Sequence, residues 1–230
     1  TTANSLFGDQ SNTAFKTGDT GKSVTDATRS VTRPWRASGP NVTVIDTPGW
    51  LDSKGQEADA QHQRDMEREL RTLGCVHAFM VILKAHDRFH GGVISMLRLL
   101  RNFFGKSFLR HLIFVFTCWD FDHASKDDRA RRNDNKDDSV LQSEKARELN
   151  FLIQELFNLR ASSCPCIFLD NRVNFCLDSL RFEGRRPQVV RELNGQLRTA
   201  WDFVCGARAF DCKGISASRA ERALGVQRAV

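Results

Sequence analysis

Three short polar segments in this chain follow directly after apolar runs. They are residues 46–49 (Asp-Thr-Pro-Gly), 117–120 (Thr-Cys-Trp-Asp) and 170–171 (Asp-Asn). If the apolar runs are parallel strands, their carboxyl ends meet at one edge of a sheet, where such sheets bind ligands. Carboxylate, hydroxyl and amide groups gathered there match the needs of a bound nucleotide with Mg²⁺.

The first segment has the chemistry of a triphosphate site. Residues 42–45 are all β-branched and suit a buried strand, which Pro48 and Gly49 then end in a turn. The carboxylate of Asp46 can hold Mg²⁺ directly or through water, and the unshielded N–H of Gly49 can meet a γ-phosphate. The pattern Asp-x-x-Gly is common by chance, so its interpretation as part of a triphosphate site depends on the strand that precedes it.

The second segment fits the recognition of guanine. The carboxylate of Asp120, three residues after Thr117, can accept hydrogen bonds from both the ring N–H and the exocyclic amine of guanine. Adenine has no such pair of donors, so it would leave a buried carboxylate unsatisfied. Asn171, in the third segment, can meet the base from its other side. The alternative is that Asp120 caps its own loop and Asn171 only makes a turn.

The elements that position these segments follow from periodicity. Helical spacing or capping residues predict helices at 1–8, 57–73, 92–104, 141–159 and 187–204. Alternating or apolar runs predict strands at 28–36, 41–46, 76–83, 112–117 and 166–169. The first two strands form a hairpin, and strand 76–83 is expected to be buried on both faces. The polar run 121–138 is interpreted as a solvated loop, and the alternative is a partner-binding arm. Strands alternating with helices predict a mostly parallel α/β sheet.

Composition limits the class of protein. The net charge of +6 is spread among residues of both signs, which argues against a nucleic-acid partner. No apolar run approaches the roughly 18 residues of a transmembrane segment. The seven cysteines are odd in number and have no C-x-x-C spacing, which argues against structural zinc. Such cysteine usage favours a reducing compartment, and we expect the cytoplasm.

One further segment looks like a phosphate loop. Residues 18–23 end in Gly-Lys-Ser, but the residue five before Gly21 is Lys16 where the motif requires glycine. Since no apolar strand precedes the segment either, we do not interpret it as a phosphate loop.

Taken together, the motifs resemble the septin-related GTPases of the immunity-associated (avirulence-induced-gene) family. Residues 4–8 are similar to the helix after that family's phosphate loop, 23–25 to its switch I, and 44–49 to the start of its switch II. Residues 77–116 are similar to its characteristic box, an apolar strand, an Arg-Phe pair, an apolar helix and a second strand. The resemblance covers roughly residues 1–205, a G domain, and leaves 206–230 as a flexible tail.

The resemblance implies a P-loop NTPase-type sheet flanked by helices that binds GTP or GDP with Mg²⁺. Thr1 and Thr2 would form the first turn of the helix that cradles phosphate. Thr25 would reach Mg²⁺ or the γ-phosphate together with Asp46. Family members hydrolyse GTP as face-to-face dimers, which makes Arg88 the candidate catalytic arginine supplied in trans. The alternative is that Arg88 is an ordinary surface residue. Peripheral membrane association stays open.

Three departures from the family pattern carry expectations. The phosphate loop and the strand before it would lie ahead of Thr1, so residues 1–230 alone should bind nucleotide poorly and leave a gap between two strands. Adding the preceding ~20–30 residues should restore binding. Cys118 replaces the usual lysine whose stem packs on the base, and Trp50 replaces a water-orienting glutamine. Hydrolysis should therefore be slow or completed by another subunit. The alternative is a pseudo-GTPase interaction module without turnover.

Overall fold

The structure is a computed structural model that describes most of the chain. The described residues are 2–8, 13–16, 25, 27–37, 39–48, 56–89, 91–160, 163–170 and 186–212. They divide into two compact units. Unit 1 takes its residues from 1–77, 90–111 and 208–230, and unit 2 from 78–89 and 112–207.

Helices and strands alternate along the chain. The helices are α1 (Thr2–Phe7), α2 (Gln56–Leu73), α3 (Gly91–Phe104), α4 (His123–Arg132), α5 (Asp138–Phe157) and α6 (Arg186–Gly206). The strands are β1 (Arg29–Pro34), β2 (Asn41–Asp46), β3 (Cys75–Val76), β4 (Phe79–Lys84), β5 (Leu112–Thr117), β6 (Cys166–Leu169) and β7 (Phe210–Asp211). None of the described helices combines the length and apolar composition needed to cross a membrane.

Unit 1 contains the predicted hairpin. Strands β1 and β2 pair antiparallel, with Arg29 opposite Asp46 at the open end. Beside them, the ring of Phe7 at the end of α1 stacks on Phe15, with ring centroids 6.2 Å apart. The side chain of Asn4, 1% exposed, donates to the Phe15 carbonyl at 2.8 Å and accepts from the Phe15 N–H at 2.9 Å. This pair of bonds fixes the segment after α1 and satisfies a buried amide.

Unit 2 holds the parallel sheet, in the order β4-β5-β6. All six residues of the central strand β5 are buried. Helices α5 and α6 supply fully buried apolar residues, among them Leu149, Ile153 and Leu197. A parallel sheet covered by helices confirms the predicted α/β class.

The predicted strand 76–83 is wrong in two respects. It is split into β3 and β4 by the bend at His77–Ala78, and β3 pairs with β7 in unit 1 instead of joining the parallel sheet. β4 is also not buried on both faces, since Ile82 is 45% exposed. Within the described residues β4 is an edge strand. The apolar run therefore predicted more burial than the strand has.

The polar run 121–138 is also not a loop. It contains α4, which Asp122 caps by accepting a hydrogen bond from the Ser125 N–H at 3.0 Å. The charges that suggested solvation are paired, for example Lys126 with Glu192 and Arg132 with Asp128. Such pairs and a good N-cap support a helix that has no buried residue of its own.

The beginning of the segment 206–230 is folded, unlike the flexible tail predicted for it. Phe210–Asp211 form β7, and the Phe210 ring lies edge-on to Phe104 at 6.1 Å and to His111 at 5.4 Å. Cys212 is fully buried. A two-residue strand has no periodicity, so it shows only in its pairing with β3 and in these aromatic contacts. Residues 213–230 lie outside the described residues.

Candidate functional site

The loop after β5 begins with a residue that ties two strands together. Thr117, 8% exposed, donates its hydroxyl to the Leu83 carbonyl at 3.3 Å. Its own carbonyl accepts the Ala85 N–H at 2.8 Å. These bonds fix the ends of β4 and β5 relative to each other. The hydroxyl thus has a structural partner, and its contact with a nucleotide stays a prediction.

Cys118 turns the chain sharply at this point. Its φ is 59°, in the left-handed region that costs a residue with a side chain roughly 1–2 kcal/mol. Its side chain is exposed, whereas the next residue, Trp119, is 6% exposed. Backbone conformations of this kind are enriched at ligand-binding sites, although turns and helix caps such as Asn158 adopt them as well.

Trp119 anchors the loop to the neighbouring strand. The main-chain N–H of Trp119 donates to the Leu169 carbonyl at 3.3 Å, and its indole ring meets Phe168 edge-on at 4.9 Å. Asp120 follows, half-buried, at the carboxyl edge of the sheet. A half-buried carboxylate on an anchored loop is suited to accept hydrogen bonds from a ligand, because its position is already set.

Two of the three predicted segments share one sheet edge. Thr117 lies opposite Leu169 in the parallel register of β5 and β6. Asp170, 6% exposed, therefore follows β6 beside the start of the loop after β5. Asn171 lies outside the described residues, so its place near the base stays a prediction.

In unit 1 the structure brings together the two residues predicted to bind Mg²⁺. The hydroxyl of Thr25 donates to the carboxylate of Asp46 at 2.9 Å, and both residues are half-buried. Hydroxyl and carboxylate oxygens are ligands that Mg²⁺ accepts, so the pair fits this ion. Within the described ranges no group of three or more His, Cys, Asp or Glu side chains converges to hold a metal. In nucleotide sites Mg²⁺ takes further ligands from phosphates and water.

Other predicted phosphate-side residues are only partly described. Thr2 begins α1, whereas Thr1, Gly49 and Trp50 lie outside the described residues. Residues 18–23 lie outside them as well. These residues keep their sequence-based interpretation.

Arg88 lies on the loop between β4 and α3, and its side chain is exposed. Both neighbours of Arg88 contact Lys145 of α5, whose ammonium donates to the Asp87 carbonyl at 3.1 Å and lies 4.8 Å from the centre of the Phe89 ring. Burial lowers the pKa of Lys145, and the carboxylates of Glu148 and Asp87 act in the opposite direction. Lys145 thus holds the Asp87 carbonyl on one side of Arg88 and the Phe89 ring on the other, while Arg88 itself is exposed.

Sequence reasoning missed the two cations that brace these loops, Lys145 and Arg129. Arg129, on α4, lies over the Trp119 ring with its guanidinium carbon 4.4 Å from the ring centre. Both residues belong to charge-rich segments that look solvated in sequence. Lys145 is 58 positions from the carbonyl it binds. No local signal connects groups so far apart.

Comparison with known proteins agrees with this fold. Residues 1–156 match the model of the AIG1 family. The crystal structure of a dimerization-deficient arginine-to-alanine mutant of Toc33 from Arabidopsis thaliana is similar, with a TM-score of 0.61 and 16% identity, over 91% of this chain and 81% of that one. A second structure, of the chloroplast translocon components atToc33 and psToc159, has a TM-score of 0.57 and 16% identity over 91% and 79% of the two chains. Dimerization is important for the GTPase activity of those components.

The family match confirms the resemblance drawn from the motifs, and the structural similarity confirms the α/β fold. Since the match covers most of the sequence, the chain belongs to the AIG1 family.

Proposed function

We propose that this chain is a guanine-nucleotide-binding switch that binds GTP and GDP with Mg²⁺ and hydrolyses GTP slowly or on dimerization. The observation that carries the proposal is the anchored loop 117–120 with Asp120 half-buried at the sheet edge. A carboxylate fixed in this way selects guanine, whose two adjacent donors satisfy both of its oxygens.

The hydrogen-bonded pair Thr25 and Asp46 supports the phosphate side of the proposal. These residues would hold Mg²⁺, which supplies neutralisation of the charge that develops on the phosphates. The segments 16–28 and 47–56 would then change conformation with the state of the nucleotide, because Thr25 and Asp46 lie within or beside them. Thr25 can pair with Asp46, as here, or turn its oxygen to the ion.

Dimerization would complete hydrolysis through Arg88. Its exposed position between two residues that contact Lys145 suits an arginine presented to a partner subunit. One of the similar solved structures supports this role, because an arginine-to-alanine mutant of Toc33 is dimerization-deficient. The face that carries the nucleotide would then also be the homo- or heterodimer interface.

A second candidate function, a pseudo-GTPase interaction module, is favoured by Cys118. The short, exposed side chain of Cys118 offers no stem to pack on a base. Trp50 likewise cannot orient the attacking water. Such a module would use the same fold to bind protein partners and would not turn over GTP.

Nucleotide titration of the full-length natural protein tests the proposal. Labelled GTP, GDP and ATP are titrated with Mg²⁺ present, and the Asp120→Asn variant is titrated with GDP and xanthosine diphosphate. Xanthine carries a carbonyl where guanine has its amine, so the Asp120→Asn variant should bind xanthosine diphosphate. Its affinity for GDP should fall on the order of 100-fold, because a hydrogen bond to a charged acceptor is lost.

The matched control is Asp127→Asn, which removes an exposed carboxylate from α4 and should leave binding unchanged. The proposal is supported if the wild type binds GTP and GDP but not ATP, and if the Asp120→Asn variant prefers xanthosine diphosphate to GDP. No binding of any nucleotide overturns it in favour of the pseudo-GTPase module.

A further inference from the structure

We propose that Arg129 is the positioning residue of the base-reading loop, residues 117–120, and that it sets the selectivity for guanine through Asp120. The inference rests on the proposed function, because it concerns how Asp120 is held. Arg129 is on α4, nine positions after Asp120, and its side chain is 20% exposed.

The first contact of Arg129 is with Asp120 itself. Its Nη2 donates to the main-chain carbonyl of Asp120 at 2.8 Å. Because the bond uses the carbonyl and not the carboxylate, it fixes the backbone that carries the base-reading group. A small displacement of that backbone would move both carboxylate oxygens away from the two donors of guanine together.

The second contact is with the preceding residue. The guanidinium of Arg129 lies over the ring of Trp119, and that ring meets Phe168 of β6. Arg129 thus holds two consecutive residues of the loop, one by its side chain and one by its carbonyl. The left-handed turn at Cys118 stands directly before them, so this clamp acts where the backbone is strained.

The third contact fixes the guanidinium. Asp138, at the start of α5, accepts from Nε at 2.8 Å and from Nη2 through its second oxygen. The Asp138 side chain is 15% exposed, so the pair is largely shielded from solvent. A bidentate carboxylate sets the plane of the guanidinium, which in turn sets the direction of the N–H toward Asp120. A lysine has one ammonium and cannot make the fork, the stacking contact and the carbonyl bond at once.

Inosine diphosphate separates positioning from general binding. Inosine lacks only the exocyclic amine of guanine, so the ratio of GDP to inosine diphosphate affinity reports the second hydrogen bond to Asp120 alone. Every phosphate, ribose and Mg²⁺ contact is common to the two nucleotides. A variant that merely weakens the protein lowers both affinities and leaves the ratio unchanged.

The experiment compares Arg129→Lys and Asp138→Asn with the wild type in the full-length natural protein. Affinities for GDP and inosine diphosphate are measured with Mg²⁺, and amide hydrogen exchange is followed across 118–121 without nucleotide. We expect the affinity ratio to fall roughly tenfold, the value of one hydrogen bond to a charged acceptor, and exchange to accelerate. The control is Arg132→Lys, which changes an exposed arginine on the same helix paired with Asp128.

Each outcome decides the inference. A lower ratio in both variants, with the control at the wild-type value, supports it. An unchanged ratio overturns it and leaves the proposed function intact. A wild type that does not prefer GDP to ATP overturns both. If Arg129→Lys fails to fold, Asp138→Asn still tests the inference, because this variant keeps Arg129 and changes only the carboxylate that orients its guanidinium.

Discussion

Two loops at the carboxyl edge of the same parallel sheet are held in opposite ways. The proposed base-reading loop after β5 directs Trp119 into the core and keeps Asp120 half-buried, whereas the loop after β4 leaves Arg88 exposed. A carboxylate that discriminates between bases must be fixed before the ligand arrives, because reorganisation would erode selectivity. An arginine presented to a second subunit must be exposed. The comparison shows that the strands place both loops at one edge of the sheet, whereas contacts with the helices behind it determine which residues of each loop are fixed and which are exposed.

Both loops owe their positions to cations on helices behind the sheet. Arg129 of α4 clamps the first and Lys145 of α5 the second. Arg129 has a carboxylate partner of its own in Asp138, but the ammonium of Lys145 is placed against a carbonyl and two aromatic rings. Substitutions that act on one loop and leave the other unchanged test this contrast.

The largest expected effect separates catalysis from binding. Arg88→Ala should abolish the rise of GTPase activity with protein concentration, a loss on the order of 10³-fold, because an arginine supplied in trans stabilises transition-state charge. GDP affinity should stay within about twofold, since Arg88 is not in the base-reading loop. Steady-state hydrolysis over a range of protein concentrations and GDP titration measure the two quantities.

The control for Arg88→Ala is Arg147→Ala, which removes another exposed arginine, on α5. If Arg88→Ala keeps the full concentration-dependent activity, Arg88 is an ordinary surface residue and the contrast between the loops loses its functional meaning.

An intermediate effect is expected at Lys145. Lys145→Met keeps the length of the stem but loses the hydrogen bond to the Asp87 carbonyl and the charge near Phe89. The free energy of unfolding should fall by about 1 kcal/mol, the usual value of one such bond. Amide exchange should quicken in 87–89 and stay unchanged in 118–121. Urea unfolding and exchange mass spectrometry measure these, and equal acceleration in both loops would show that they are not braced separately.

The smallest effect concerns the thiols. Cys118 is exposed in the base-reading loop, whereas burial beside Cys164 raises the pKa of Cys166 to about 12. Iodoacetamide reacts with the thiolate form of a cysteine. The reagent can reach Cys118, whose side chain is exposed, so Cys118 should be modified. Cys166 should stay unmodified even at pH ~9, since raising the pKa of a thiol keeps it protonated to higher pH. Bound GDP should slow the modification of Cys118 a few-fold.

Peptide mass spectrometry distinguishes the two thiols. A Cys118 rate that does not respond to saturating GDP would place the nucleotide away from the base-reading loop. Rapid modification of Cys166 in the folded protein would contradict its burial.

The sequence by itself determined the elements that depend on local pattern. β5 was predictable as a buried strand because every residue from Leu112 to Phe116 is apolar, and α3 because its apolar residues recur at helical spacing before Gly105. The hairpin of β1 and β2 followed from alternation and a Gly-Pro turn. Asp46, Thr117 and Asp120 could be predicted as candidate site residues because each lies at or beside the end of such a strand.

Only the tertiary structure decided what those local patterns leave open. The strand β7 and the bend that separates β3 from β4 depend on partners distant in sequence, and the helix α4, although Asp122 caps it locally, also pairs through Lys126 with the distant Glu192. The same holds for Arg129 and Lys145, which look like solvated charges until the fold places a carbonyl and an aromatic ring beside them. Periodicity reports which face of an element is apolar, but it cannot report which neighbour that face or charge will meet.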